Sequence, residues 1–272
     1  MTFHLTDNRA GVGPGLTQVT RHDEANQNTG IDFGVLRLKA GETWRSTPTG
    51  ETAYLLMEGT ATLSAGGRDE TWSRRSLFDE SPSCLHVPAG EAVTIKAKTD
   101  CELTLYATAN AKRFPVRWFA ASDTANEPRG KGQVGGACLR FVRTIFDRRN
   151  SPDEVELVLG EVITMPGRWS SYPPHHHPQP EIYHYRFTDP RGFGHAELGD
   201  TVLKVRHNDT VKIFDGFDHP QCAAPGYGMY YAWVIRHLPE APYVVPEFTA
   251  EHAWTMEKDA RFWWPAEIAP YG

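Results

Sequence analysis

Turn-forming residues interrupt this chain so often that little room is left for a long helix. Glycine occurs 24 times and proline 20 times in 272 residues, at short intervals, and each favours a turn over a continuing element. Between them stand short runs that fit strands with a buried face. Over residues 31–108 these are Phe33-Gly-Val-Leu-Arg-Leu, Thr52-Ala-Tyr-Leu-Leu-Met, Thr60-Ala-Thr-Leu-Ser, Ala92-Val-Thr-Ile-Lys-Ala and Cys101-Glu-Leu-Thr-Leu-Tyr-Ala. Turn signals at Lys39-Ala-Gly-Glu, Glu58-Gly-Thr, Ala65-Gly-Gly and Pro88-Ala-Gly separate them. Residues 109–153 are less regular and read as a connection that includes Glu127-Pro-Arg-Gly-Lys-Gly. The strand rhythm then resumes over 155–162, 181–187, 201–206, 211–214 and 229–235. The expectation is an all-β chain of two tandem jelly-roll-type β-barrels with few short helices, one over 1–115 and one over 116–272.

Bulk properties narrow the function. The formal charge is −6, acidic and basic residues are mixed, and no basic stripe or like-charge block suits nucleic acid. An anionic small substrate stays open, because one local arginine or lysine can hold a carboxylate whatever the net charge. Cys84, Cys101, Cys138 and Cys222 are scattered without a CxxC pair and read as small buried residues in a reducing compartment. The N-terminus lacks a signal-peptide core, and no window approaches the roughly 20 apolar residues of a membrane span. A soluble, cytoplasmic protein is expected, with no membrane partner. The end of the chain, with Trp254, Phe262, Trp263 and Trp264, is aromatic enough to pack on the barrels or on a second subunit, which favours a homo-oligomer.

One segment carries chemistry. In Tyr172-Pro-Pro-His-His-His-Pro-Gln-Pro-Glu, His175 and His177 are two apart, so an extended backbone projects both imidazoles from one face. A proline-bounded turn leads to Glu181 at the head of the next strand, and His219 follows the turn Asp215-Gly-Phe-Asp. Three imidazoles and a carboxylate suit a divalent Zn, Mn, Fe, Co or Ni ion, with positions left open for substrate. His176 is expected to point the other way, and His184 to face away from the site. His86 has no HxH partner, so the first barrel reads as metal-free scaffold. Tyr183 shares the inward face with Glu181 and, with Tyr231 or Tyr230, is a candidate for proton transfer. Arg168, Arg186, Lys204 and Arg206 are the candidates for a substrate carboxylate.

HxH, then Glu, then a later His after a glycine turn resembles the metal signature of the cupin superfamily. Gly167-Arg-Trp-Ser-Ser-Tyr-Pro-Pro-His-His-His, Glu181-Ile-Tyr-His-Tyr-Arg-Phe and His219-Pro-Gln-Cys-Ala-Ala-Pro-Gly-Tyr-Gly-Met-Tyr-Tyr are similar to the 5-deoxy-glucuronate isomerases of inositol catabolism. Arg129-Gly-Lys-Gly is similar to that family's interdomain segment. The resemblance implies a bicupin and a metal-dependent aldose–ketose isomerase that converts 5-deoxy-glucuronate to 2-deoxy-5-keto-gluconate. There the ion would polarise the carbonyl and acidify the neighbouring C–H, and a general base would move the proton. The 5-keto-4-deoxyuronate isomerases of pectin breakdown and the metal-dependent cupin dioxygenases are the competing enzyme readings. A non-catalytic sugar or metal binder is the remaining alternative.

Overall fold

A computed structural model describes residues 3–265, and its regular structure is almost entirely β, with a few short 3-10 turns. The first half is a nine-stranded arrangement whose path runs Arg117–Phe119, Cys84–Val87, Glu51–Ala65, Cys101–Thr108, Asp32–Leu38, Gly15–Thr20. The two strand runs expected over 52–57 and 60–64 form one long strand, Glu51–Ala65, with a register shift between Leu56 and Glu58. Before the shift it pairs with Cys84–Val87 and Cys101–Thr108; beyond it, after one last pair of Glu58 with Glu102, it pairs with Arg68–Arg74 and Val93–Ala97. A bulge bends a strand and raises its twist, which lets one strand serve both layers of a barrel. Gly59 makes the bend feasible: its φ is +88°, and a Cβ there would lie 2.2 Å from the Asp100 carbonyl oxygen.

The second half repeats the plan. A seven-stranded sheet runs His4–Leu5, Thr210–Ile213, Glu181–Phe187, Met229–Arg236, Leu157–Thr164, Arg140–Phe146, Glu127–Arg129. A four-stranded sheet of Trp169–Ser170, Gln221–Ala223, Phe193–Leu198 and Thr201–Arg206 accompanies it, and His175–His176 pairs with Glu247–Phe248. The halves exchange short segments, so they do not divide cleanly at 115/116. His4–Leu5 edges the second sheet, held by Arg9 and His4 on Asp209, while Arg117–Phe119 belongs to the first. The stretch 109–153 is therefore more than a connection, because it contributes strands to both halves.

Side-chain alternation explains the cores. In Glu181–Phe187 every residue is buried. Tyr183, Tyr185 and Phe187 turn into their own barrel with Val211, Ile213 and Tyr231. Ile182 turns outward into a core shared by both halves, with Phe33, Leu55, Met57, Phe146 and Val234. A third core of Leu36, Tyr54, Leu63, Ile95 and Leu103 fills the first barrel. Strands wanted on both faces read as nearly continuous apolar runs because two sheets pack face to face. Cys84, Cys101 and Cys138 are buried, Cys222 is half-buried, and all four are free thiols. No helix among the described residues is long and apolar enough to cross a membrane. Of the aromatic tail, Phe262 and Trp264 approach Gly135, whereas Trp263 is 83% exposed. Residues 266–272, also part of that expectation, lie outside the described residues.

Candidate metal centre

Glu181 opens its strand opposite Ile213 and Ile235 and points into the second barrel. His175 and His177 come from the facing segment, and the His219 N–H donates to the His175 carbonyl at 3.3 Å, tying the two histidine segments together. His177, Glu181 and His219 each offer an atom within 4.8 Å of the others. Nε2 of His177 is 3.3 Å and Nε2 of His219 is 3.4 Å from the same Oε2 of Glu181. The His175 ring stands edge-on to His219 with centroids 4.7 Å apart. Three of the four expected ligands thus converge, and the fourth lies beside them.

The hydrogen bonds decide which nitrogens face inward. Nδ1–H of His175 donates to the Pro173 carbonyl at 3.2 Å, that of His177 to Gln179 at 2.9 Å, and that of His219 to Phe217 at 2.9 Å. A carbonyl only accepts, so each Nδ1 carries a proton, and in the neutral ring each Nε2 presents a lone pair. Lone pairs turned toward a carboxylate repel it unless something positive stands between them. Nε2 of His219 is buried without a hydrogen-bond partner among the described residues, an expensive condition that a metal ion would relieve. Backbone carbonyls that orient histidine ligands are the usual outer support of a metal site. Burial first, then the neighbouring imidazoles, push the His175 pKa well below its ordinary value, and burial lowers that of His219. Both are neutral, as ligation requires.

Around this cluster the structure sorts the other candidates. Tyr183 and Tyr231 stack with centroids 4.5 Å apart, and Tyr183 lies 5.8 Å from the His219 ring. Tyr231 donates to Ser170 Oγ at 3.0 Å, and Ser171 Oγ sits 3.1 Å from its hydroxyl and 3.3 Å from that of Tyr183. Tyr230 turns to the other side of its strand and donates to Glu161. His184 and Arg186 also face away: Arg186 hydrogen-bonds His184 and pairs with Glu102 of the first half at 2.6 Å. Arg186 is thereby corrected as a substrate contact, since strand parity sends it to the interface. Arg168, Lys204 and Arg206 are exposed, with Lys204 over the Phe193 ring; none is joined to the cluster by a contact. His176 points outward to Asp218 at 2.9 Å, as expected.

Some participants left no signal in the sequence. Tyr243 lies edge-on to His177 with centroids 4.9 Å apart, on a segment that returns over the histidines. Gln179 donates to the Ala241 carbonyl at 2.7 Å, Thr249 donates to Asp218, and Glu247–Phe248 pairs with His175–His176. This strap closes the site so far that His177, Glu181 and His219 are 5%, 2% and 1% exposed. His175, Ser171, Tyr172, Trp233 and Tyr243 stay partly exposed.

Two packed β units, with imidazoles and a glutamate gathered inside one of them, define a cupin-type barrel protein. Solved structures agree on the fold: Lactobacillus farciminis oxalate decarboxylase superposes with a TM-score of 0.64 at 13% identity, over 87% of this chain and 85% of that one. The chain belongs to the KduI/IolB family, whose profile matches residues 5–255. Its relatives include the 5-deoxy-glucuronate isomerases of Geobacillus thermodenitrificans, 28% identical over 84% of this chain and 86% of that protein, and of Listeria monocytogenes, 28% identical over 91% and 96%. An IolB-like protein from Salmonella typhimurium superposes with a TM-score of 0.75 at 27% identity, covering 90% and 96% of the two chains.

Proposed function

We infer that this chain is a metal-dependent aldose–ketose isomerase that converts 5-deoxy-glucuronate to 2-deoxy-5-keto-gluconate in inositol catabolism. The observation that carries the reading is the convergence of the His177 and His219 Nε2 atoms on the Glu181 carboxylate within a family whose named relatives are 5-deoxy-glucuronate isomerases. His177, Glu181 and His219 would hold the ion, with His175 completing the shell. This nitrogen-rich set fits Zn, Mn, Fe, Co or Ni better than Mg or Ca. When bound, such an ion supplies Lewis acidity toward a carbonyl and its neighbouring hydroxyl.

The rest is work for the chain itself. Moving the carbonyl from C1 to C2 takes the hydrogen from C2, returns one to C1 and shifts a hydroxyl proton from O2 to O1. No net oxidant or reductant is needed, only groups that relay protons. Tyr183 and Tyr231, joined through the Ser171 hydroxyl, form such a relay beside the histidines. The strap carrying Tyr243 keeps bulk water from a carbanion-like intermediate.

Replacement of His177 by alanine tests the reading. Metal analysis and proton NMR of 5-deoxy-glucuronate in D₂O should show metal and turnover lost together, and deuterium at C1 of the wild-type product. Full turnover by metal-stripped His177→Ala protein would defeat it. Oxygen uptake coupled to turnover would indicate a dioxygenase instead, and preferential turnover of a 5-keto-4-deoxyuronate would move the substrate to pectin breakdown.

A further inference from the structure

A uronate brings a negative charge to the site, and none of the basic residues expected from sequence is placed to meet it. Arg140 is. It begins the strand Arg140–Phe146, two residues before Val142, so both point into the second barrel. Val142 aligns with Val162, and Val162 with Tyr231, across adjacent strands. Arg140 therefore stands one step along the strand from the row that holds Tyr231, on the side away from Glu181. Its Nη2 donates to the Tyr172 carbonyl at 3.3 Å, and the next carbonyl, that of Pro173, receives the His175 Nδ1–H. Its Nη1 donates to the Cys138 carbonyl at 3.1 Å. The guanidinium is thus anchored on backbone that leads directly into the histidine segment.

What it lacks is a counter-charge. Arg74 and Arg143 share Glu161, and Arg186 has Glu102. Arg117 also meets no carboxylate, but it belongs to the first half and lies over the Phe119 and Phe146 rings. Among the described residues no aspartate or glutamate pairs with Arg140, which is partly exposed on the inner face. A half-buried guanidinium held by two neutral carbonyls is costly unless an anion visits. Burial lowers its pKa, and its charge in turn acts on His175 and Tyr231. Space is kept for it by Gly130 of the Arg129-Gly-Lys-Gly stretch, where a Cβ would come within 2.7 Å of Nη1.

We propose that Arg140 receives the substrate's carboxylate beside the histidine segment of the second barrel, because its anchored guanidinium shares the inward face with Tyr231, is tied to the backbone just before His175 and has no acidic partner. The assignment rests on the uronate reading and sharpens it: Arg140 would select acids over neutral sugars, while the histidine cluster handles the carbonyl end. An arginine fork suits this task, since carboxylates bind guanidinium groups bidentately.

The test compares a charged ligand with its neutral twin. Zinc-loaded protein is titrated by calorimetry with glucuronate and with glucuronamide, which differ only at the carboxyl end. Wild type should prefer the acid. Arg140→Met should remove the preference, weakening the acid about 10- to 100-fold, the range of a charge-assisted hydrogen bond, with zinc content and melting temperature unchanged. Arg140→Lys should restore part of it as a point charge. KM for 5-deoxy-glucuronate should rise correspondingly more than kcat falls. Equal weakening of both ligands, or lost zinc in both variants, would make Arg140 a structural tie and overturn the assignment; so would a wild type with no preference. If wild type prefers the acid through Arg140 but does not isomerise 5-deoxy-glucuronate, the isomerase reading fails and the carboxylate site stands.

Discussion

Tyr183 shows how a residue's surroundings bound its chemistry. Burial first, and then the Glu181 charge, push its pKa well above the ordinary range, while burial pushes that of Tyr231 up to about 12. Both rings are therefore protonated phenols at neutral pH, suited to donate or pass on a proton; to accept one they need the field of a nearby cation. The Ser170 and Ser171 hydroxyls bonded to them complete a path along which a proton can move without a charged intermediate in the open. Tyr183→Phe is expected to lower kcat by roughly 100-fold, the lower end for general acid–base catalysis, with metal content unchanged. Undiminished turnover, measured with saturating 5-deoxy-glucuronate, would reduce Tyr183 to a packing role.

At the scale of elements, the strap over the histidines has a built-in sensitivity to acid. The Tyr243 N–H donates to Nδ1 of His237 at 2.9 Å, which requires a neutral imidazole, and Nε2 of His237 is buried without a partner. Burial, helped by the Arg148 charge, lowers the His237 pKa to about 4, against about 6.5 in an unfolded chain. A folded pKa below the unfolded one means that protons favour the unfolded strap. The stabilisation is complete above about pH 6.5 and is lost as pH falls toward about 4. Hydrogen exchange at the Tyr243 amide, corrected for intrinsic chemistry, should quicken across that window before core strands such as Glu181–Phe187 lose protection. Protection that persists to pH 4 would show that other contacts hold the strap.

For the molecule as a whole, the junction of the two halves is both apolar and ionic. Around the shared core, Arg74 of the first half grips Glu161 of the second through bonds of 2.7 and 2.8 Å. Arg143 lies 3.5 Å from the same carboxylate, and Tyr230 donates to it at 2.7 Å. Arg74, Arg143 and Glu161 are at most 1% exposed. Removing the anion leaves two buried guanidinium groups without a counter-charge, so Glu161→Ala should cost about 3–5 kcal/mol, read as a lower denaturation midpoint with an unchanged metal:protein ratio below the transition. A loss under about 1 kcal/mol would mean that the halves are joined by their apolar core alone.

The patterns legible in the sequence were those set by local geometry. Frequent glycine and proline limit element length, alternation marks strand faces, and a two-residue spacing suggests one side for His175 and His177; hence the all-β plan, the grouping of His177, Glu181 and His219 and the outward His176 and His184 could be read residue by residue. What only tertiary structure decided depends on segments far apart in the chain. Nothing local tells Arg186 that Glu102 waits across an interface, or gives Arg140 a place near Tyr172 and Tyr231. Nor does it bring Tyr243 back over His177. Strand parity is a short-range rule, whereas the position of a charge within a barrel depends on which sheets pack together, and the desolvation cost that governs its use is fixed only when they do.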